Sequence, residues 1–128
     1  MVKIPMEECS KIIRAVIDGA IDTIGADVTF VHLRMMQEIA RGHISDELMG
    51  VTEVARNLGL PMSTASRMVS QLGNFDSGGK GYVTQVSHPK DRRRVVLQLT
   101  QLGIDTRNKH LTFVSRQISP LIENLAGN

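Results

Sequence analysis

Apolar residues recur at three- and four-residue steps near both ends of the chain and in its middle, and at two-residue steps in one stretch between. Ile13, Val16, Ile17, Ala20, Ile21 and Ile24 form one such stripe and predict an amphipathic first helix. Phe30, Val31, Leu33, Met35, Met36 and Ile39 predict a core helix between Thr29 and Ala40. Leu111, Val114, Ile118, Leu121, Ile122 and Leu125 predict a last helix, with Pro120 expected to kink or restart it. In the middle, Val54, Ala55 and Leu58 make one apolar face and Gly59 a break. Ala65, Met68, Val69 and Leu72 then repeat at helical spacing. Two short helices crossing at a tight turn are expected, the first capped by Thr52 and ended by Gly59 in a left-handed conformation. Residues 82–86 and 95–99 are rich in strand formers, largely alternate, and read as a hairpin. The predicted class is mainly α with a small β-wing, an α+β fold.

The polar positions give these elements a chemistry. A helical step of about 100° per residue places Ser63, Arg67 and Ser70 opposite the apolar stripe of the second short helix, with Thr64, Ser66 and Gln71 on its flanks. An ordinary solvated face would carry more Glu and Lys. Short hydroxyls approach phosphates or base edges closely, and one arginine can reach two acceptors on guanine in a major groove. The hairpin tip carries Lys90, Arg92, Arg93 and Arg94 around a single acid, Asp91. That cluster suits phosphates or a narrow minor groove, with the Asp91 carboxylate orienting the Arg93 guanidinium and Pro89 stiffening the approach. A helix-turn-helix followed by a basic hairpin is the pattern of a duplex-DNA reader.

The same residues resemble the multiple-antibiotic-resistance regulator (MarR) family of winged helix-turn-helix transcription factors. The matching residues run from Thr52 to Leu60 and from Ser63 to Arg67, and they continue with Asp91-Arg92-Arg93, Leu99-Thr100 and Gly103. Two departures stand out. Pro61-Met62 replaces a serine cap and a basic residue, and residues 73–81 form a longer, glycine-rich segment, expected to be a mobile linker. That segment lacks the GxxxxGK[ST] order of a phosphate loop. The resemblance implies one domain over residues 1–128, with dimerisation helices at 1–28 and 104–128 and a winged core at 29–103, its wing at about 82–99. It implies a two-fold dimer through the terminal helices, with Ile13, Val16, Ile17, Ile21, Val114, Ile118, Leu121 and Leu125 at the interface. It further implies a repressor of a pseudo-palindromic operator, relieved in many members by a small aromatic or phenolic acid. The alternative function is a winged-helix protein-interaction or architectural nucleic-acid-binding module without ligand sensing.

Composition narrows the range of functions. The 128 residues make one domain by length, and the net charge of +2 is uneven. Residues 1–51 carry 5 Lys/Arg against 8 Asp/Glu, residues 52–109 carry 9 against 4, and the remainder 1 against 1. The basic middle with acidic flanks again fits a DNA reader. No apolar run approaches the roughly 20 residues of a membrane span, and no secretory signal is visible, so a cytoplasmic protein without membrane partners is expected. Aromatic content is 3% with no Trp, a poor basis for a ligand-stacking pocket. Cys9, the single cysteine, excludes an internal disulfide. Some members of the family sense peroxides with a cysteine near this position, but Glu7 and Glu8 precede Cys9, and it reads as inert. Zinc sensors of the family use histidines and carboxylates. His43, Glu38, Glu47 and His110 supply those types without HxxxH or CxxC spacing, so no metal or other cofactor is expected. His32 reads as a helix-face residue and His88 as a wing-tip donor. No Ser-His-Asp order, metal signature or phosphate loop points to an enzyme.

Overall fold

The computed structural model describes residues 3–126. Its elements are α1 (Met6–Thr23), α2 (Phe30–Ile44), α3 (Val51–Leu58), α4 (Met62–Leu72), a 3-10 turn (Phe75–Ser77), β1 (Val83–His88), β2 (Asp91–Leu99) and α5 (Gln101–Ala126). They form two compact units, one of residues up to Val28 together with those from Asp105 on, the other Thr29–Ile104. Among the described residues no helix is long and apolar enough to cross a membrane.

In the terminal unit, α1 buries Ala15, Gly19 and Ala20, and Ile24 just after it is buried too, so of the expected stripe Ala20 and Ile24 are covered while Val16 and Ile17 are only half-buried. Small residues at a four-residue spacing let α5 come close. A Cβ built on Gly19 would lie 2.6 Å from Phe113 Cδ1, and His110 Nε2 donates to the Val16 carbonyl at 2.9 Å. Ile13 and Ile21 are left 58% and 51% exposed, and Ile122 of α5 is 53% exposed. Of the two outcomes expected at Pro120, a restart does not occur, since α5 runs through it. Pro120 and the preceding turn are exposed, so water can reach the carbonyl that the missing amide leaves open.

In the central unit α2 starts on a capping box. The Thr29 hydroxyl accepts from the His32 amide at 3.2 Å, and His32 Nδ1 accepts from the Thr29 amide at 3.0 Å. His32 is therefore a buried cap, not an exposed helix-face residue. With Nδ1 accepting, Nε2 carries the proton and donates to Gln71 Oε1 at 2.7 Å, which ties α2 to the last turn of α4. Met35, Ile39, Val54, Ala65, Leu72, Val83 and Val96 fill the core beneath.

The start of α3 is Val51 with Gly50 as its cap, not Thr52, which is exposed one position inside the helix. The residues before α3 are committed to the sheet edge. Leu97 of β2 donates its amide to the Met49 carbonyl at 2.8 Å, and a Cβ on Gly50 would sit 2.8 Å from the Val95 carbonyl. Gly59 ends α3 as expected, at φ 68° and ψ 33°.

One buried carboxylate joins α2 to α3. Glu38 is almost completely covered and accepts from Arg41 Nη2 at 2.6 Å, Arg34 Nη1 at 3.0 Å and Asn57 Nδ2 of α3 at 3.3 Å. The Arg41 hydrogen bond, helped by those of Arg34 and Asn57 and opposed by burial, holds its pKa below the ordinary 4.5. A depressed carboxylate stabilises the fold above its unfolded pKa and loses that contribution as pH falls through the folded value. Glu38→Gln is expected to cost about 1–3 kcal/mol near neutral pH. In denaturant titrations across pH the variant should also lose part of the acid-side decline below pH 4.5.

Candidate nucleic-acid interface

The recognition face is set by how α4 buries its other side. Ala65, Val69 and Leu72 are buried, which leaves Ser63, Ser66, Arg67 and Ser70 exposed and Thr64 partly covered. The helix starts at Pro61 without a side-chain cap, as the Pro61-Met62 departure implies. Among the described residues Arg67 makes no hydrogen bond or ion pair. Ser70 Oγ bonds back to the Ser66 carbonyl at 3.1 Å, and Gln71 is held by His32. The two ends of the face thus differ. Ser63 to Arg67 is available to a ligand, while the last turn is anchored to the core.

The hairpin is longer than its strand pattern indicates. β1 and β2 pair antiparallel from Val83 with Leu99 to Ser87 with Val95, and His88 then pairs with Asp91. Arg92, Arg93 and Arg94 lie between these last two pairs, as a bulge in β2 and not in a loop, and the tip is Pro89-Lys90 alone. The bulge is hydrogen-bonded by side chains. Asp91 Oδ1 accepts the Arg93 amide at 3.1 Å, and His88 Nδ1 accepts the Lys90 amide at 3.0 Å. Asp91 thus holds the Arg93 backbone, where its guanidinium was the expected partner, and His88 accepts at Nδ1, which puts its ring proton on Nε2 and keeps it a donor at the tip. The side chains of Lys90, Arg92 and Arg93 are exposed and make no bond among the described residues. Arg94 differs, because its Nη2 donates to Glu53 Oε1 of α3 at 2.8 Å.

Comparison with known proteins bears on this arrangement. The profile of the IclR helix-turn-helix domain matches residues 34–76. Among solved structures, RV1404 from Mycobacterium tuberculosis is similar with a TM-score of 0.70 and 20% identity, over 93% of this chain and 75% of its own. The transcriptional regulator Tm0710 from Thermotoga maritima follows at 0.63 and 22%, over 96% and 82%. The Multiple Antibiotic Resistance Repressor, MarR, is similar at 0.62 and 20%, over 98% and 87%. The fold is the MarR-type winged helix-turn-helix. Comparison by sequence with curated proteins finds no match.

Within this MarR-type fold the glycine-rich segment 73–81 is a hydrogen-bonded turn rather than the expected loose linker. Gly79 and Ser77 donate to the Asn74 carbonyl, Lys80 donates to Gln71, Gly81 to Gly73 and Tyr82 to Leu72. Gly81 has φ +76° and the Phe75 ring packed where a Cβ would be, so glycine is required there on both counts. The Leu-Thr and Gly of the wing signature also have a local cause. Thr100 Oγ1 donates to the Gly81 carbonyl at 2.6 Å and accepts the Gly103 amide at 3.0 Å, capping α5. The Tyr82 carbonyl occupies the place of a Gly103 side chain. The residue types weighed for a metal are otherwise engaged or exposed. Glu38 is taken by its arginines, Glu47 pairs with Arg41 at 3.3 Å, His110 bonds Val16, and His43 is exposed. Cys9 is exposed, its sulfur 3.8 Å from the Ile4 carbonyl.

Removing the Asp91 acceptor isolates its role. In Asp91→Ala the Arg93 amide is expected to exchange about tenfold faster with solvent, for a lost charge-assisted bond of about 1.4 kcal/mol, while α4 amides keep their rates. Unchanged exchange at Arg93 would show that the bulge is held by something else.

Proposed function

We propose that the chain is a sequence-specific DNA-binding transcriptional regulator of the MarR type, acting as a homodimeric repressor on a pseudo-palindromic operator. One observation carries this reading. The same compact unit presents a helix with exposed hydroxyls and Arg67, and a wing with Lys90, Arg92 and Arg93, whose side chains find no partner among the described residues. Hydroxyls and Arg67 would read base edges in a major groove, and Lys90, Arg92 and Arg93 would bind backbone phosphates beside it. Tm0710 is a transcriptional regulator and MarR a repressor, and their likeness to this chain supports the same class.

The dimer reading rests on the terminal unit. Ile13, Ile17, Ile21 and Ile122 carry apolar surface that α1 and α5 of one chain leave partly uncovered. Burying each such side chain in a second copy is worth about 1.5–3 kcal/mol, and two copies would present their recognition helices to successive turns of DNA. Repression follows as the simplest consequence of occupying a promoter.

Two experiments test this. Duplexes selected from a random pool should share a two-fold symmetric consensus, and binding should fall steeply with salt. Arg67→Ala is then expected to weaken the selected duplex by about 1–3 kcal/mol more than random DNA, and Arg93→Ala to weaken both alike. A sequence-blind or absent interaction would point instead to an architectural or protein-interaction module. Separately, Ile13→Glu with Ile21→Glu should yield monomers in sedimentation and abolish preference for the symmetric site; dimers that persist would place the interface elsewhere.

A further inference from the structure

Among the described residues, Arg94 is the one of the four wing cations whose side chain is engaged by the protein. Its Nη2 lies 2.8 Å from Glu53 Oε1 in the first turn of α3, and 3.5 Å from the Leu48 carbonyl just before that helix. The pair joins the far end of the β2 bulge to the segment that β2 already touches through the Leu97 amide and the Met49 carbonyl. At the other end the bulge is closed by Asp91 and His88. Three residues without ladder partners are thereby fixed at both ends, and Arg92 and Arg93 are the two that point to no protein acceptor. We infer that Arg94 is a positioning residue, clamped by Glu53 so that the bulge presents Arg92 and Arg93 to phosphate, and that its own charge is neutralised within the protein.

This inference rests on the DNA-binding reading above and gives Arg94, which that reading leaves aside, a role of its own. Sequence alone counts four equivalent wing cations, whereas the geometry divides them into three for the ligand and one for the fold. The pair is about 40% exposed, at 44% for Arg94 and 39% for Glu53, so salt screens it in part and its contribution is modest.

The division can be read from ionic strength. The full-length protein is titrated with its selected duplex at several salt concentrations as wild type, Arg92→Gln, Arg94→Gln, Glu53→Gln and the Glu53→Gln/Arg94→Gln double variant. Arg92→Gln is expected to flatten the slope of log affinity against log salt by about 0.9, the loss of one phosphate contact. Arg94→Gln should leave the slope unchanged and lower affinity by about two- to fivefold throughout. Glu53→Gln should lower affinity similarly, and the double variant should be no worse than either single one. A slope flattened by about 0.9 in Arg94→Gln overturns the inference, as does tighter binding by Glu53→Gln, because either result would make Arg94 a phosphate contact with Glu53 as its competitor. Wild-type binding without salt dependence would overturn the DNA reading instead. The clamp is then still judged without DNA by thermal unfolding. Each single variant should lower the midpoint by about 1–4 °C and the double variant no further. Additive shifts would show that the two residues are not coupled.

Discussion

The central unit depends on the backbone of Tyr82, where four elements meet and every main-chain group has to find a partner. The Tyr82 amide donates to Leu72 at the end of α4, and its carbonyl accepts from Thr100 at the end of β2. Thr100 in turn bonds Gly81 and caps the first turn of α5, and the Tyr82 carbonyl excludes any side chain at Gly103. α4, the hairpin and the first turn of α5 are therefore held together by main-chain bonds and one hydroxyl. Such bonds are directional, and a buried group left unpaired costs about 1–3 kcal/mol, so small displacements there are resisted more than sliding of apolar surfaces would be. On the DNA-binding reading proposed above, a helix that meets a groove and a wing that meets the neighbouring backbone need that kind of shared root.

Glu38 does for the helix pair what Tyr82 does for the wing. A carboxylate under a helical layer would be costly alone. Two half-exposed arginines and the Asn57 amide supply donors at 2.6 to 3.3 Å, so the charge is kept rather than neutralised. Through Asn57 the network reaches α3, and through His32 and Gln71 a second polar link reaches α4. Both helices of the helix-turn-helix pair, α3 and α4, are thus located from α2 by side-chain hydrogen bonds of defined length, superimposed on an otherwise apolar core.

Much of this was legible in the chain where a period or a conformational demand wrote it. The helix pair followed from the 3.6-residue spacing of Val54 to Leu72, and Gly59 from the need for positive φ. Other features depend on contacts between residues distant in sequence. The cap of α3 moved to Gly50 because residues 48–50 lie along β2, which no local pattern around Thr52 reveals. The apolar stripe of α1 was visible, and Ala20 and Ile24 of it are buried, but the helix is also buried at Ala15 and Gly19, which lie outside that stripe. Their four-residue spacing was the available signal, and hydrophobicity alone ranks them below isoleucine. The wing strands were underestimated because three arginines in succession do not alternate. A bulge can hold such a run, since its residues need no cross-strand partners.

The distribution of the wing cations shows why counting charge differs from locating it. In the sequence Lys90, Arg92, Arg93 and Arg94 are one cluster, and nothing in their order distinguishes the last. In three dimensions a bulge turns successive side chains in different directions, so neighbours in sequence acquire different partners. Arg94 meets a carboxylate 41 positions away, and the remaining three face solvent. A surface with three unneutralised charges binds phosphate less strongly than one with four but holds them in a narrower range of geometries. If the chain prefers one DNA site to many, as proposed, a rigidly placed backbone contact is worth more than an additional mobile one, because phosphate contacts fix the register in which a recognition helix reads the bases.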